Sequence, residues 1–258
     1  MKDNVATESR SSTLSGVERT ARILQAVEAA GSSNLAEIAR RTNLNEATVL
    51  RYLNSLSSLG FIERVEPATY RLGWEIFRLG QRTLSTQVPR AAIRPAMESL
   101  VTEFNETVNF AIVRQRAIVI VDVVESSRAV KKISFVGQSD PWHASALGKS
   151  ILATMPDLEW RAVLEEAGLR RLTEHTITSL NKMEVEIAAT RERGYAVDDE
   201  EVDDELTCIA AAIPTSDGKP AQSALSISFV THRLTPGRVE DAGHKITAAA
   251  KEIALRLN

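Results

Sequence analysis

The sequence predicts an α+β protein of two domains, and three observations carry that prediction. At 258 residues the chain is long enough for about two domains, each with a core of its own. Its first third sets three short helical patterns ahead of two short strand patterns. Its remainder places clusters of strand-like runs between helical segments, the order expected of an antiparallel sheet with helices packed on it. A composition of 43% hydrophobic and 25% charged residues excludes wholesale disorder. One cysteine excludes an internal disulfide or a thiolate metal cluster. The start has no secretory apolar stretch and no run reaches the length of a bilayer span, so a soluble, cytoplasmic protein with no membrane partner is expected.

Residues 1–13 are polar and aperiodic, a flexible tail. Ser15 with Glu18 three residues on is a capping box that opens a helix, with Val17, Ala21, Leu24 and Val27 on one face. Gly31-Ser-Ser breaks it. Asn34 with Glu37 repeats the grammar and starts a short helix with Leu35, Ile38 and Ala39 inside. Asn45 then caps a third helix whose Val49, Leu53 and Leu56 point inward and which Gly60 ends. Residues 61–65 and 70–72 read as strands joined by a turn at Glu66-Pro-Ala-Thr. Three helices and a small ribbon make a winged helix-turn-helix over residues 14–73.

Residues 74–88, with Trp74, Phe77 and Leu84 apolar, read as a linker helix, and Pro89 marks the start of a second domain over 89–258. There a helix over 91–104 presents Ile93, Met97, Leu100 and Phe104. Strands are expected over 107–113, 117–124 and 130–136, the first two joined by Arg-Gln-Arg as in a tight hairpin. Helices follow over 145–154, 158–167 and 182–193, the last capped by Asn181 with Glu184. A short strand at 195–197 precedes a hairpin of 207–213 with 221–230 around Ser216-Asp-Gly218. The closing helix, from Pro236, turns Val239, Ala242, Ile246, Ala249, Ile253 and Leu257 inward.

The net charge of −3 is uneven: residues 1–82 carry 11 basic and 9 acidic side chains, and ten of the eleven bases are arginine. Arginine suits two-pronged contacts with phosphates and guanine edges. A helix reads bases through outward residues near its N-terminus, which here are Asn45, Glu46, Ala47, Thr48 and Arg51. Arg51 is placed for guanine, Glu46 for the cytosine amino group, and Thr48 for a phosphate or a thymine methyl. In the wing, Arg64, Thr69 and Arg71 are placed for phosphates or the minor groove. Winged helices also serve as protein-interaction domains, so an adaptor stands beside double-stranded DNA binding as an alternative.

Several segments carry a family likeness. Val17-Glu-Arg-Thr-Ala-Arg22, Leu35-Ala-Glu-Ile-Ala39, Thr48-Val49 through Arg51, Leu53-Asn-Ser-Leu56, Leu59-Gly-Phe61 and Tyr70-Arg-Leu-Gly73 lie in the first half. His143-Ala-Ser-Ala-Leu-Gly-Lys149, Gly194-Tyr-Ala-Val-Asp-Asp-Glu-Glu201, Cys208-Ile-Ala-Ala211 and Ala224-Leu-Ser-Ile-Ser228 lie in the second. Together and in this order they resemble the IclR family of bacterial transcription regulators, from about Ser15 to the C-terminus. The resemblance implies a GAF- or profilin-like second domain that senses a small organic or aromatic acid, and homodimers or tetramers on palindromic promoter sites, acting more often as repressors of catabolic or metabolic operons. Arg19, Arg22 and Tyr52 complete the DNA-binding set. Carried over by motif, the effector pocket comprises Ala146, Leu147, Gly148, Asp198, Cys208, Ser226 and Ser228.

Physical chemistry is compatible with that pocket. The loop into Gly148-Lys-Ser offers backbone N–H groups to a carboxylate, and alternation puts Ser226 and Ser228 on one strand face. Where family members carry a basic or small polar residue this chain has Glu46-Ala47, and Leu50 and Tyr52 also depart from the usual pattern, so no operator sequence is borrowed. Residues 198–205 hold seven acids in eight positions, mostly a solvated loop by expectation. Ala146 to Ser150 echoes a nucleotide-binding loop, but His143 stands where its first glycine is required. Four scattered histidines provide no metal spacing, and Cys208 in an apolar run reads as a small buried residue or pocket wall. An enzyme built on a winged-helix dimerisation domain would need a cofactor fingerprint or catalytic set, and none stands out, so neither a cofactor nor a catalytic residue is expected.

Overall fold

In the computed structural model, which describes residues 15–29, 31–65 and 68–257, three side-chain caps start the helices of the first unit, Met1–Gln87. The expected tail over 1–13 and the turn residues Glu66 and Pro67 lie outside the described residues. Helix α1 (Gly16–Glu28) opens on a reciprocal capping box between Ser15 and Glu18. Asn34 Oδ1 accepts from the Glu37 N–H at 2.9 Å to start α2 (Leu35–Thr42), and Asn45 Oδ1 accepts from Thr48 at 2.8 Å to start α3 (Glu46–Ser58). Each such cap satisfies a donor the helix cannot, worth about 1 kcal/mol. Ile23, Val27, Ile38, Val49, Leu53, Ile62 and Tyr70 form the core of this unit.

The inward stripe of α1 differs from the expected one. Ile23, Ala26 and Val27 are buried, whereas Ala21 is exposed and Val17 is 80% exposed. The first turns of α1 extend past the core, so the apolar residues there fix a helical phase one residue's rotation away from the buried one. The wing also gains a strand. β1 (Ser33–Asn34) joins β2 (Ile62–Val65) and β3 (Thr69–Leu72) in an antiparallel sheet of order β1-β3-β2, with Ser33 opposite Tyr70. Gly73 lets two backbone segments touch, since a Cβ there would lie 2.2 Å from the Gly60 carbonyl oxygen. α4 (Trp74–Gln87) leaves Trp74 and Phe77 exposed, with their rings edge to face at 5.3 Å.

The second unit, Val88–Asn258, is built on a six-stranded antiparallel sheet of order β6-β5-β4-β9-β8-β7. Its strands are β4 (Thr107–Arg114), β5 (Ala117–Val124), β6 (Ser139–Asp140), β7 (Ala196–Asp199), β8 (Leu206–Ala212) and β9 (Ser223–Val230). The β4–β5 hairpin turns on Gln115 and Arg116, both left-handed (φ 49° and 64°), as a two-residue hairpin turn of the primed kind requires. α5 (Arg90–Phe104) and the closing α9 (Pro236–Leu257) pack together and on the sheet, where Phe104 meets Phe229 edge to face. α6 (Ala146–Leu152), α7 (Asp157–Ala167) and α8 (Leu180–Arg193) share a second core with Ala111, Ile118, Ile120, Ala210 and Ala224. Alternation along β4, β8 and β9 therefore brings Asn109, Cys208, Ser226 and Ser228 to the α6 side.

Three expectations are corrected here. No strand forms over 130–136: Val130, Ile133, Phe135 and Val136 are exposed, and the chain pairs only at Ser139 and Asp140. Strand preference measures fit to a pleated, half-buried surface, which this segment lacks. It is held by side chains instead, Thr107 donating to the Lys132 carbonyl at 3.1 Å and Arg233 to that of Val130 at 2.9 Å. α8 begins two residues early, because the Ser179 hydroxyl rather than Asn181 takes the Lys182 N–H. In α9, Ala242, Ile246, Ala249 and Ile253 are buried as expected, but Val239 is half-buried and Leu257 is exposed where the helix runs beyond the sheet.

Candidate DNA-reading surface and effector cavity

On α3, Glu46, Ala47, Leu50 and Arg51 lie exposed along one face and Thr48 is half-buried. The Asn45 side-chain oxygen is committed to its cap. Among the described residues no carboxylate pairs with Arg51, whose guanidinium lies 5.8 Å from the Tyr52 ring centroid. Neighbouring arginines are engaged. Arg40 and Arg41 both grip Glu37, at 2.7 and 2.6 Å, and hold its carboxyl down at about 2. Arg71 reaches Glu63 across the wing at 2.8 Å.

Arg64 is exposed, and the half-buried Thr69 donates to the Val65 carbonyl. Arg22 is exposed on α1. Arg19 is half-buried with Nε enclosed, and Tyr52 packs against the core beside α1, so these two sit apart from the exposed face of α3. Leu50 and Asn54, absent from the sequence-derived set, share that face; helical spacing from Ala47 points to both.

In the second unit a cavity lies between the sheet and the start of α6. Six of the seven expected effector residues line it: Ala146, Leu147, Asp198, Cys208, Ser226 and Ser228. Gly148 is not among them. Its N–H is taken by the Ser145 hydroxyl at 3.0 Å, and a Cβ there would lie 2.3 Å from the Trp142 carbonyl oxygen. Of the N–H groups at the start of α6, that of Gly148 is used by the helix cap. Gly148 lets the turn before α6 close.

Asn109, which sequence reasoning missed, faces Ser226 across the β4–β9 ladder and donates from Nδ2 to the Ser226 and Ser228 hydroxyls, both at 3.3 Å. The Cys208 thiol donates to Ser228 at 3.3 Å. Burial, reinforced by the Asp198 charge, pushes that thiol far above its ordinary range, so it stays protonated and is no nucleophile. Asp198 accepts from the Glu201 and Val202 N–H groups, and burial pushes its carboxyl up to about 7. Asn109 Oδ1 and the Ser134 hydroxyl are buried in the wall with no partner among the described residues. As its side chains stand, the cavity measures about 20 Å³, room for about one water molecule.

Two buried groups lie beside the cavity. Lys149, 1% exposed, pairs with Glu201 and lies 3.7 Å from Glu186. The residue that echoed a nucleotide-binding loop thus anchors the acidic run from inside the fold. Within that run Asp198 and Glu201 are buried, while Asp199, Asp203, Asp204 and Glu205 are exposed. His143 is buried with Nε2 2.9 Å from the Arg170 carbonyl, and burial holds its pKa below the ordinary value. Among the described residues no three histidine, cysteine or carboxylate side chains gather as a metal site.

Comparison with known proteins places both halves. Residues 16–66 match the IclR helix-turn-helix domain, and residues 81–255 match the C-terminal domain of bacterial transcriptional regulator IclR. The chain is 32% identical over 258 residues to the transcriptional repressor IclR of Escherichia coli, covering 98% of this chain and 94% of that one. It is 31% identical over 243 residues to the repressor AllR of Salmonella typhimurium, covering 93% and 89%. The crystal structure of Thermotoga maritima IclR superposes with a TM-score of 0.73 at 27% identity, covering 93% of this chain and 98% of that one. The two-domain α+β architecture is shared, and the enzyme and adaptor readings give way. With family matches over both units and a full-length relative above 30% identity, the chain belongs to the IclR family of bacterial transcriptional regulators.

Proposed function

We propose that this regulator is a repressor of a catabolic or metabolic operon, released or retained by a small organic or aromatic acid bound in the cavity of the second unit. It acts in the cytoplasm as a homodimer or dimer of dimers on palindromic promoter DNA. Glu46, Ala47, Thr48 and Arg51 enter the major groove, and Arg22, Arg64 and Arg71 contact the backbone. The observation that carries the reading is the cavity itself, a walled-in set of polar groups with unfilled hydrogen bonds in a chain whose family binds DNA. The repressor names of two relatives support the direction of control. A ligand changes promoter occupancy only through unequal affinity for two arrangements of the protein.

The test titrates the purified protein against DNA upstream of its own gene and its neighbour's, at two salt concentrations, with random DNA as competitor. Sequence-preferring binding that weakens with salt, and that a carboxylic acid shifts, is the expected result. Binding with no preference over random DNA across these fragments and a panel of acids would overturn it.

A further inference from the structure

The outer face of α3 mixes two kinds of side chain. With about 100° between successive residues of a helix, Ala47, Arg51 and Asn54 point the same way and Leu50 stands beside them. All four are exposed. Val49, Leu53 and Leu56 hold the helix from the opposite side, and Leu50, 38% exposed, lies outside the apolar cluster that they join. The helix is therefore anchored without Leu50, whose isobutyl group stands in water between polar neighbours.

The floor of the major groove limits what such a group can meet. Guanine, adenine and cytosine present acceptors and amino groups there, and the 5-methyl of thymine is the one apolar group. An isobutyl pressed on a guanine edge or a cytosine amino group removes water and returns no hydrogen bond, which costs about as much as a lost hydrogen bond. Against a thymine methyl the same side chain buries apolar surface on both partners. The neighbours of Leu50 fit polar edges instead. Arg51, which no carboxylate among the described residues engages, suits guanine, and Asn54 suits adenine. Glu46, one turn before Leu50, offers an acceptor to a cytosine amino group. From residue 47 to residue 54 the helix rises about 10 Å, the length of about three base pairs. The base that Leu50 meets therefore lies within about three base pairs of the one that Arg51 meets.

We infer that Leu50, with Ala47 beside it, reads the 5-methyl group of a thymine held at a fixed place near the Arg51 guanine. The inference rests on α3 as the DNA-reading helix and adds the base that its apolar side chains select. Leu50 is then a specificity-determining residue, which rejects purines and cytosine at its place by leaving their polar edges unpaired.

The experiment uses the full chain to select preferred duplexes from a pool with a randomised centre. Each thymine of the selected site is then replaced in turn by deoxyuridine, which removes the methyl and keeps every hydrogen-bonding group. Fluorescence anisotropy at fixed salt reads the affinities. For the wild type, deoxyuridine at the thymine beside Leu50 should weaken binding about fourfold, the effect of one buried methyl. Leu50→Ala should bind the thymine duplex about fourfold or more weakly and be indifferent to deoxyuridine at that place. Leu50→Met, still apolar, should keep the sensitivity. Random DNA should bind Leu50→Ala as it binds the wild type, because no phosphate contact is lost. Selected sites without a fixed thymine, or thymines whose methyls all prove dispensable, overturn the inference. A loss equal in the wild type and Leu50→Ala also overturns it, since that marks a change in DNA shape. So does a Leu50→Ala chain that changes its size in solution but not its response to deoxyuridine, for Leu50 is then a contact between copies. A chain that selects no sequence sinks the DNA-reading role of α3 as well, whereas one that selects a sequence and ignores the methyl sinks this inference alone.

Discussion

In the first unit the groups placed to meet a ligand stand in water on the outer face of α3, and in the second they are buried and bonded to one another. Among the described residues Arg51 has no carboxylate partner, whereas Asn109, Ser226, Ser228 and Cys208 form one connected set. The difference separates function from stability. An exposed reader can be removed without disturbing what holds its helix, because Val49 and Leu53 do that from the opposite side. A buried reader is also part of the core, so its loss is felt in both.

The sharpest test of that contrast is Lys149. Burial pushes the Glu201 carboxyl above its ordinary range, and Lys149 is the cation that opposes this. Lys149→Met leaves Glu201 and Glu186 without it, and breaking a buried pair from one side costs about 3–5 kcal/mol. Denaturant unfolding followed by tryptophan fluorescence, reporting on Trp142 and Trp160, should show that loss, and adding Glu201→Gln should recover part of it. A cost near zero would mean that this unit tolerates an unpaired buried charge, and the contrast would fail.

Arg51→Ala is the matching change on the exposed side. It should weaken specific DNA by about 1–3 kcal/mol, as loss of a bidentate base contact does. Stability should stay within about 0.5 kcal/mol, because the side chain is exposed and no carboxylate among the described residues pairs with it. Equal losses on specific and random DNA would reassign Arg51 to the phosphates.

The same contrast explains what could be read from the sequence. Caps at Ser15, Asn34 and Asn45 are decided within four residues, so they stand where periodicity put them. The outward face of α3 and the shared face of Ser226 and Ser228 follow from helical and strand periods alone. Asn109 could not be found that way, since it meets Ser226 through a ladder between residues 117 apart in sequence. Lys149 and Glu201 are 52 apart. Residues 130–136 misled because β-branched composition reports a preference for a packed surface that no neighbouring strand supplies.

A smaller effect concerns pH and sharpens the buried side. Asp198 titrates at about 7 and is faced by Lys149, Glu201, the protonated Cys208 thiol and, across the cavity, Lys132 and Asp140. An anion arriving beside it favours its protonated form further. Binding therefore takes up a proton between about pH 7 and the higher pKa of the bound state, and none well below pH 7. Affinity for a carboxylic acid bound in the cavity should be flat on the acid side and fall as pH rises above 7, by at most about tenfold per unit for one proton. Asp198→Asn should flatten the profile, and affinity that rises with pH would contradict the arrangement. The sign for folding is the same: a carboxyl whose folded pKa lies above its unfolded value stabilises less as pH rises from about 4 to 7.

The smallest effect returns to the wing, where two arginines of equal charge should behave unequally. Arg64 is exposed and no carboxylate among the described residues pairs with it, so it is free to neutralise a phosphate. Arg64→Ala should lower the slope of log affinity against log salt by about 1, uniformly over DNA sequences. Arg71 already gives two hydrogen bonds to Glu63, at 3.0 and 2.8 Å, and must leave them to reach DNA. Arg71→Ala should therefore change the slope less than Arg64→Ala. Glu63→Gln should raise it by releasing Arg71, at little cost in stability because exposed pairs contribute about 0–1 kcal/mol. If Glu63→Gln leaves the slope unchanged while Arg71→Ala lowers it by a full unit, Arg71 binds phosphate without leaving Glu63, and the pair positions the arginine rather than competing for it.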